Sequence, residues 1–332
     1  MNDESGTLVL TRSDVVRLLD LDSCITAVEE AFGLHGAGAT IPPAILSVPV
    51  TDGGFHVKAG VLNLDHPYYA AKSNGNFPAN PARHGLPTIQ GVIVLADAEC
   101  GMVLALIESA EITALRTAAA SAVAAKYLST EHCHVATIVG CGIQGTAQLR
   151  ALVRVRPLEL VFALDIEPGR AESFASTMSK ELGIEVRAAE HLTLAARQSD
   201  IIATCTTATA PFLDLPQLKP GAFIAAVGAD NPDKCELHPR VLGESLVVAD
   251  VLEQSATIGE LHHARAAGFV TQDDQVTELG KIVAGRAPGR TSATQIVVFD
   301  STGMALQDVA AAAVVYRRAR ESRAGLRVRL NR

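Results

Sequence analysis

Tryptophan is absent from the 332 residues, and aromatic residues amount to only 4% of a chain that is 48% hydrophobic. Its interior must therefore be built from Ala, Val, Leu and Ile, which suits a parallel sheet covered by helices and leaves apolar surface for a subunit interface. Basic residues are outnumbered 28 to 36, for a net charge of −8, and no basic block lies inside the folded part. That excludes a nucleic-acid partner. The one basic cluster, Arg317, Arg318, Arg320, Arg323, Arg327, Arg329 and Arg332, reads as a solvated helix face and tail. Cys24, Cys100, Cys133, Cys141, Cys205 and Cys235 form no CxxC pair, and no basic-plus-apolar leader opens the sequence, so the expected setting is a reducing cytoplasm. Apolar runs such as 118–125 are too short to cross a bilayer, so no membrane partner is expected. Histidines are scattered, His262-His263 lacks the i, i+4 spacing of a helical metal pair, and no GxSxG elbow is present. No metal is expected.

A chain of this length exceeds one core, so two domains are expected. Residues 12–36 read as two short helices, with Ser13 and Asp22 as N-caps and Gly33 or Gly36 ending the second. Between Ile41 and Ile107, Pro, Gly and Asn punctuate short β-rich runs, which predicts an antiparallel region. A helix over 110–128 follows. From His134 on, strand and helix patterns alternate, which predicts a Rossmann fold, a doubly wound parallel sheet. Residues 306–320 form a closing helix. The expected fold class is thus α/β: a central Rossmann domain over 119–305, inserted into an α+β domain built from 1–118 and 306–332.

Gly140-Cys-Gly142-Ile143-Gln144-Gly145 is a GxGxxG directly after the apolar run 135–139 and directly before a helical pattern. The first glycine allows the tight turn, the second lets backbone N–H groups approach a pyrophosphate, and the third permits close packing of helix on strand. Asp165 lies 20 residues beyond Gly145, at the end of the next predicted strand, with Ile166 after it. A carboxylate there accepts both ribose hydroxyls and repels a 2′-phosphate, so NAD is favoured over NADP, although Arg170 nearby weakens the preference. Cys141, inside the glycine loop, reads as a small packing residue.

Three blocks, Lys72-Ser-Asn-Gly-Asn-Phe-Pro-Ala-Asn80, Gly85-Leu-Pro-Thr-Ile-Gln-Gly91 and Glu111-Ile-Thr-Ala-Leu-Arg-Thr-Ala-Ala-Ala120, stand in order along the chain. Val227-Gly-Ala-Asp230, Lys234-Cys-Glu-Leu237 and Phe299-Asp-Ser-Thr-Gly303 follow. Together they resemble the ornithine cyclodeaminase/mu-crystallin family over nearly the whole chain. The resemblance implies that Lys72 contacts the substrate near its carboxylate and reacting nitrogen, with Arg116 between substrate and cofactor. It places Thr88 near the dinucleotide, Ile143 and Gln144 on the pyrophosphate, Asp165 on the ribose and Thr206 after the fourth strand. Val227, Gly228, Ala229 and Asp230 match the loop beside the nicotinamide. Asp230 matches the proton donor or acceptor and Lys234 a further cofactor contact, while Ser301 and Thr302 match a loop closing over nicotinamide and substrate. It also implies a homodimer joined through the N-terminal strands. One departure stands out: members acting on ornithine carry an arginine on the first strand after a Pro-Pro pair, whereas Pro42-Pro43-Ala44-Ile45-Leu46 has none. Lys58, on a neighbouring predicted strand, is the candidate replacement.

The residue types agree with that chemistry. Two cations, Lys72 and Arg116, suit an anionic carboxylate, and Asp230 suits the movement of one proton on nitrogen. Each has a plain alternative: Lys72 a solvated strand lysine, Lys58 a structural one, Arg116 an ion pair with Glu111 or Glu108, Asp230 a turn cap before Pro232. The expectation is an NAD(P)-dependent reductase or dehydrogenase acting on the C=N or CH–NH of a small amino or imino acid, alanine dehydrogenase being one such type. The alternatives are ornithine cyclodeaminase, which uses NAD catalytically, and a cofactor-binding protein without turnover.

Overall fold

The computed structural model of the chain describes residues 6–330. The chain divides into two compact units, Met1–Arg116 with Met304–Arg332, and Thr117–Gly303. It opens with β1 (Thr7–Leu10), α1 (Arg12–Leu18) and α2 (Leu21–Gly36). The caps of these helices are Thr11 and Asp20 rather than Ser13 and Asp22. Thr11 and Asp14 cap each other reciprocally, satisfying two backbone donors at once, which a serine already inside the first turn cannot do.

Then come β2 (Ala44–Val50), β3 (Gly53–Asn63), β4 (Pro67–Asn76), α3 (Asn80–His84), β5 (Ile89–Asp97), β6 (Val103–Glu108) and α4 (Ser109–Leu128), the last crossing from the first unit into the second. The second unit continues with β7 (Val135–Val139), α5 (Ile143–Val155), β8 (Leu160–Leu164), α6 (Pro168–Leu182), β9 (Glu185–Ala188), α7 (Leu192–Ala196), β10 (Ile201–Thr204) and β11 (Phe223–Ala226). It ends with α8 (Pro239–Gly243), β12 (Leu246–Ala249), α9 (Leu252–Ile258), α10 (Glu260–Ala266), β13 (Val276–Glu278), α11 (Leu279–Val283) and β14 (Val297–Asp300). α12 (Ala305–Ser322) and β15 (Leu326–Val328) belong to the first unit.

Among the described residues the second unit holds an eight-stranded sheet in the order β13-β12-β14-β11-β10-β7-β8-β9, parallel throughout. Its central strands β10, β11 and β14 are buried at every position, as the two-sided burial of a parallel sheet requires. The order reverses between β7 and β10, the point where an open α/β sheet leaves a crevice at the strand ends. This is the Rossmann architecture.

The first unit is α+β. Among the described residues its sheet runs β15-β1-β6-β5-β4-β3-β2, antiparallel except where β1 lies parallel to β6. The sequence reading missed β1 and β15, because three or four residues show too little alternation to register. β4 alternates strictly over most of its length, burying Tyr68, Ala70, Lys72 and Asn74. α12 is almost entirely apolar and buried along its first eleven residues, packing on α2, β3 and β4. The arginine cluster is less solvated than expected: Arg317 pairs with Asp65 at 2.5 Å and Arg318 with Asp20 at 2.6 Å, while Arg332 lies outside the described residues. No helix of the described residues is long and apolar enough to cross a membrane.

Candidate functional site

In the second unit the turn between β7 and α5 carries the glycine loop. Gly140 adopts φ +99°, where a Cβ would press on the Cys205 carbonyl, and a Cβ on Gly145 would collide with the Gly140 carbonyl. Gly142 is the N-cap of α5, has open space where its Cβ would be, and leaves the helix without a side-chain cap. The first N–H groups of α5 are thus free of side-chain acceptors, which fits an anionic pyrophosphate. Ile143 is 73% exposed beside it, and the buried Gln144 Oε1 has no hydrogen-bond partner among the described residues. Asp165, just past the end of β8, accepts from Cys141 N at 2.9 Å and Glu167 N at 3.0 Å, so it also braces the glycine loop. Ile166 is 95% exposed. Arg170 is drawn to Glu167 at 2.7 Å and stands 3.9 Å from Asp165. These residues fit a dinucleotide with unesterified ribose hydroxyls.

The loops after β10, β11 and β14 are tied by buried acids that the sequence reading did not single out. Glu236 accepts Thr204 Oγ1 at 2.6 Å, Thr206 N at 2.6 Å, Thr206 Oγ1 at 2.7 Å and Gly228 N at 2.9 Å. Thr206 therefore commits its hydroxyl to Glu236. A Cβ on Gly228 would strike that carboxylate, so the loop needs glycine there. Glu260 in turn accepts from Glu236 N and Leu237 N, and Asp300 from Glu260 N and Leu261 N. Asp250 accepts Thr302 Oγ1 at 2.7 Å and Gly303 N at 2.5 Å. Burial raises Glu236, Glu260 and Asp300 above ordinary carboxylates, Asp300 to about 7, although hydrogen bonds oppose the shift in each. Val227 and Ala229 are buried, and Ser301 Oγ is buried without a partner among the described residues. Asp230 is half-exposed and accepts from Lys234 Nζ at 2.7 Å. The turn before Pro232 is capped by Asn231, which accepts from Asp233 N and Lys234 N, so the capping alternative for Asp230 falls away.

In the first unit Lys72 lies on the inward face of β4 and Arg116 on α4, and both meet Asp308 of α12. Asp308 Oδ1 takes Lys72 Nζ at 2.8 Å and Arg116 Nε at 3.0 Å, while Arg116 Nη1 donates to Gln307 Oε1 at 2.9 Å. All of these side chains are buried. The partners of Arg116 are therefore not Glu111, which pairs with Arg12, nor Glu108, which accepts from Ala110 N at the start of α4. Burial first, then the charge of Arg116, pushes Lys72 down to about 7, with Asp308 opposing. Burial works to raise Asp308, but Lys72 and Arg116 outweigh it and hold the carboxyl below its usual range. Two polar atoms of this cluster, Asp308 Oδ2 and Gln307 Nε2, are buried without a partner among the described residues. Buried polar atoms are normally satisfied, so these two are the unmet hydrogen-bonding positions of the cluster. Lys58 stands directly opposite Lys72 in the β3–β4 ladder, which puts both on one face. β2, which lacks the arginine, is an edge strand exposed at every position. Thr88 is half-buried in the segment before β5, its carbonyl accepting from Phe77 N at 2.8 Å.

Asp308 was legible in principle: a charged side chain inside a run of alanine and valine needs a partner. Glu236 offered no such sign. Apart from these sites, the side chains of His66, Asp97 and Glu99 bring possible ligand atoms within 4.8 Å of one another. Asp97 is already engaged there by His66 and by the N–H groups of Glu99 and Cys100.

A sequence profile described as the ornithine cyclodeaminase/mu-crystallin family matches residues 5–323. Among solved structures, an archaeal alanine dehydrogenase dimer with bound NAD superposes with a TM-score of 0.92 at 35% identity, covering 98% of this chain and 99% of its own. The Δ1-pyrroline-2-carboxylate reductase of Thermococcus litoralis, in complex with NADH and L-proline, gives 0.91 at 34% identity over 97% and 100%. The iminosuccinate reductase of Paracoccus denitrificans, in complex with NAD+, gives 0.88 at 32% identity over 98% and 100%.

Proposed function

The chain belongs to the ornithine cyclodeaminase/mu-crystallin family, and from that premise we propose that it is an NAD-dependent oxidoreductase of the C=N or CH–NH bond of a small imino or amino acid. The observation that carries the reading is the buried cluster of Lys72, Arg116 and Asp308 with two open polar atoms beside it. Burying such charges costs several kcal/mol per ion, and two cations crowded on one carboxylate oxygen suit the capture of an anion better than the support of a fold.

In this reading Lys72 and Arg116 hold the substrate carboxylate, and Asp308 fixes their spacing. Asp230 gives a proton to the substrate nitrogen in the reductive direction and removes one in the oxidative direction. Bound NAD supplies or accepts the hydride. Gly140, Gly142, Ile143, Gln144 and Gly145 cradle the pyrophosphate, and Asp165 with Ile166 holds the adenosine ribose, which favours NAD over NADP. Thr88, Thr206, Val227, Gly228, Ala229, Lys234 and Ser301 complete the cofactor contacts, with Thr302 on the substrate side. The first unit is thus the substrate and dimerisation domain and the second the cofactor domain. The apolar side chains that one face of β2 exposes, Leu46, Val48 and Val50, are the surface by which two copies pair as a homodimer. Six free cysteines fit a reducing cytoplasm.

The reading is tested by mixing the protein with NADH and a panel of imines: 2-oxo acids with ammonia or methylamine, and pyrroline-2-carboxylate. Ornithine with NAD is assayed separately. Loss of NADH absorbance that depends on the imine is the expected result. Proline and ammonia released from ornithine with only catalytic NAD would identify a cyclodeaminase instead, and dinucleotide binding without any turnover would remove the enzymatic reading.

A further inference from the structure

Past the end of β8 the chain runs Asp165-Ile166-Glu167-Pro168-Gly169-Arg170, and the three charges of this turn interlock. Both oxygens of Asp165 accept backbone N–H groups, from Cys141 at 2.9 Å and from Glu167 at 3.0 Å. Its carboxylate is therefore fixed without the help of Arg170, whose Nη1 stands 3.9 Å away, beyond hydrogen-bond reach. Arg170 turns instead to Glu167, donating from Nη2 to Oε1 at 2.7 Å. Glu167 occupies the N-cap of α6, a position that favours a short side chain accepting from the first turn, and its own side chain makes no capping bond. It leaves the helix end uncapped and takes the arginine. That pairing adds little to stability, because the two side chains are 50% and 64% exposed and lie i, i+3 on the surface. The charge of Arg170 nevertheless reaches the glycine loop. Burial first, then Asp165, pushes the Cys141 thiol up to about 12, and Arg170 opposes them.

We propose that Glu167 is a specificity-determining residue, which holds the site to NAD by latching Arg170 away from the ribose. The proposal rests on the cofactor reading above, in which Asp165 takes the ribose hydroxyls, and adds a second residue to it. A 2′-phosphate brings up to two negative charges, and a guanidinium is the group best matched to its oxygens. Arg170 is the cation this turn has to offer. Asp165, Glu167 and Arg170 together sum to −1, so a phosphate meets net repulsion while Glu167 competes with it for the guanidinium. Loss of the Asp165 charge alone leaves the arginine still claimed. Loss of the Glu167 charge alone leaves Asp165 on the ribose of NAD and makes Arg170 available to a phosphate. Selectivity thus divides between two acids, Asp165 by recognising hydroxyls and Glu167 by occupying the arginine. In this arrangement Glu167 touches no part of NAD through its side chain, so its removal acts on NADP.

The test is fluorescence titration of the full-length protein with NADH and NADPH at one fixed ionic strength, since exposed charges are screened by salt. The wild type should bind NADH more tightly. Glu167→Gln should tighten NADPH by about threefold to fivefold, the range of an exposed charge interaction, and leave NADH within about twofold. Adding Arg170→Ala should erase the gain. Glu172→Gln removes an equal charge from an exposed position of the same helix and should not reproduce it. The fragments 2′,5′-ADP and 5′-AMP, which differ only in the 2′-phosphate, give a second readout by calorimetric titration: Glu167→Gln should tighten the first and leave the second as it is. Unchanged NADPH affinity in Glu167→Gln, a gain that survives Arg170→Ala, or an equal gain in Glu172→Gln would discard the latch while NAD remains the cofactor. A wild type that binds NADPH as tightly as NADH would remove both the latch and the preference it explains. If neither dinucleotide binds, the oxidoreductase reading falls with them.

Discussion

Each unit buries a group of charged side chains, and the two groups are built on opposite principles. The second unit buries four acids, Glu236, Glu260, Asp300 and Asp250, each receiving hydrogen bonds from backbone N–H groups and, in Glu236 and Asp250, from threonine hydroxyls. The first unit buries Lys72, Arg116 and Asp308 and leaves Asp308 Oδ2 and Gln307 Nε2 open. A closed network spends its burial cost on holding loops in place. In the function proposed above, an open one holds charge ready for a substrate. The difference between brace and receptor thus lies in the unused valences, since depth of burial is the same in both.

The largest effect that separates the two comes from removing a cation of the open network. Lys72→Ala should lower kcat/KM by on the order of a thousandfold, the upper range for truncating one partner of a buried charge pair. Asp230→Asn should also abolish turnover. NADH affinity, read by fluorescence titration, should stay within about threefold in both. Equal loss of NADH binding in both would make the first cluster a brace as well and break the contrast.

Glu236→Gln strikes the closed network and should behave in the reverse manner. An amide N–H₂ replaces one acceptor among four donors, which should cost about 2–4 kcal/mol of unfolding free energy in urea and weaken NADH together with stability. Unchanged stability with lost turnover would move Glu236 from the brace to the chemistry. A smaller effect sharpens the cofactor side: Asp165→Ala should weaken NAD by about tenfold to a hundredfold and NADP much less, since the carboxylate both accepts ribose hydroxyls and repels a 2′-phosphate. Equal losses would leave Asp165 as a support for the glycine loop through Cys141 N and nothing more.

What the sequence disclosed follows from how local each signal is. The parallel sheet was legible because β10, β11 and β14 each open on three apolar residues in a row, and the glycine turn because its three glycines, the following helix and Asp165 fall within 26 residues. β13 and β15, three residues each, carry no period to read. Lys72 and Arg116 stood out through their motifs. Asp308, the group that joins them, lies 236 residues from one and 192 from the other, a pairing that no local pattern encodes. The partners expected for Arg116 were sequence neighbours, and the helix instead turns those glutamates to Arg12 and to its own first turn.

The finest test of the open network is its pH dependence, because kcat/KM reports the ionisation of the free protein. With no anion bound, burial and Arg116 hold Lys72 down at about 7, while the negative charge of Asp308 pulls in the other direction. A carboxylate is attracted by the ammonium form, and that form is depleted as pH rises through about 7. kcat/KM should therefore fall on the alkaline side of 7, approaching tenfold per pH unit well above it. Asp308→Asn keeps the shape of the side chain and removes the charge that stabilises the ammonium. Its limb should move to lower pH, so that the variant loses most activity near neutrality and regains part of it in mild acid. Carboxylates of the closed network titrate alike in both proteins, so the difference between the two profiles isolates Lys72. A limb that stays in place in Asp308→Asn would mean that the pair of Lys72 and Asp308 is not coupled in the free protein, and the distinction between receptor and brace would lose its electrostatic basis.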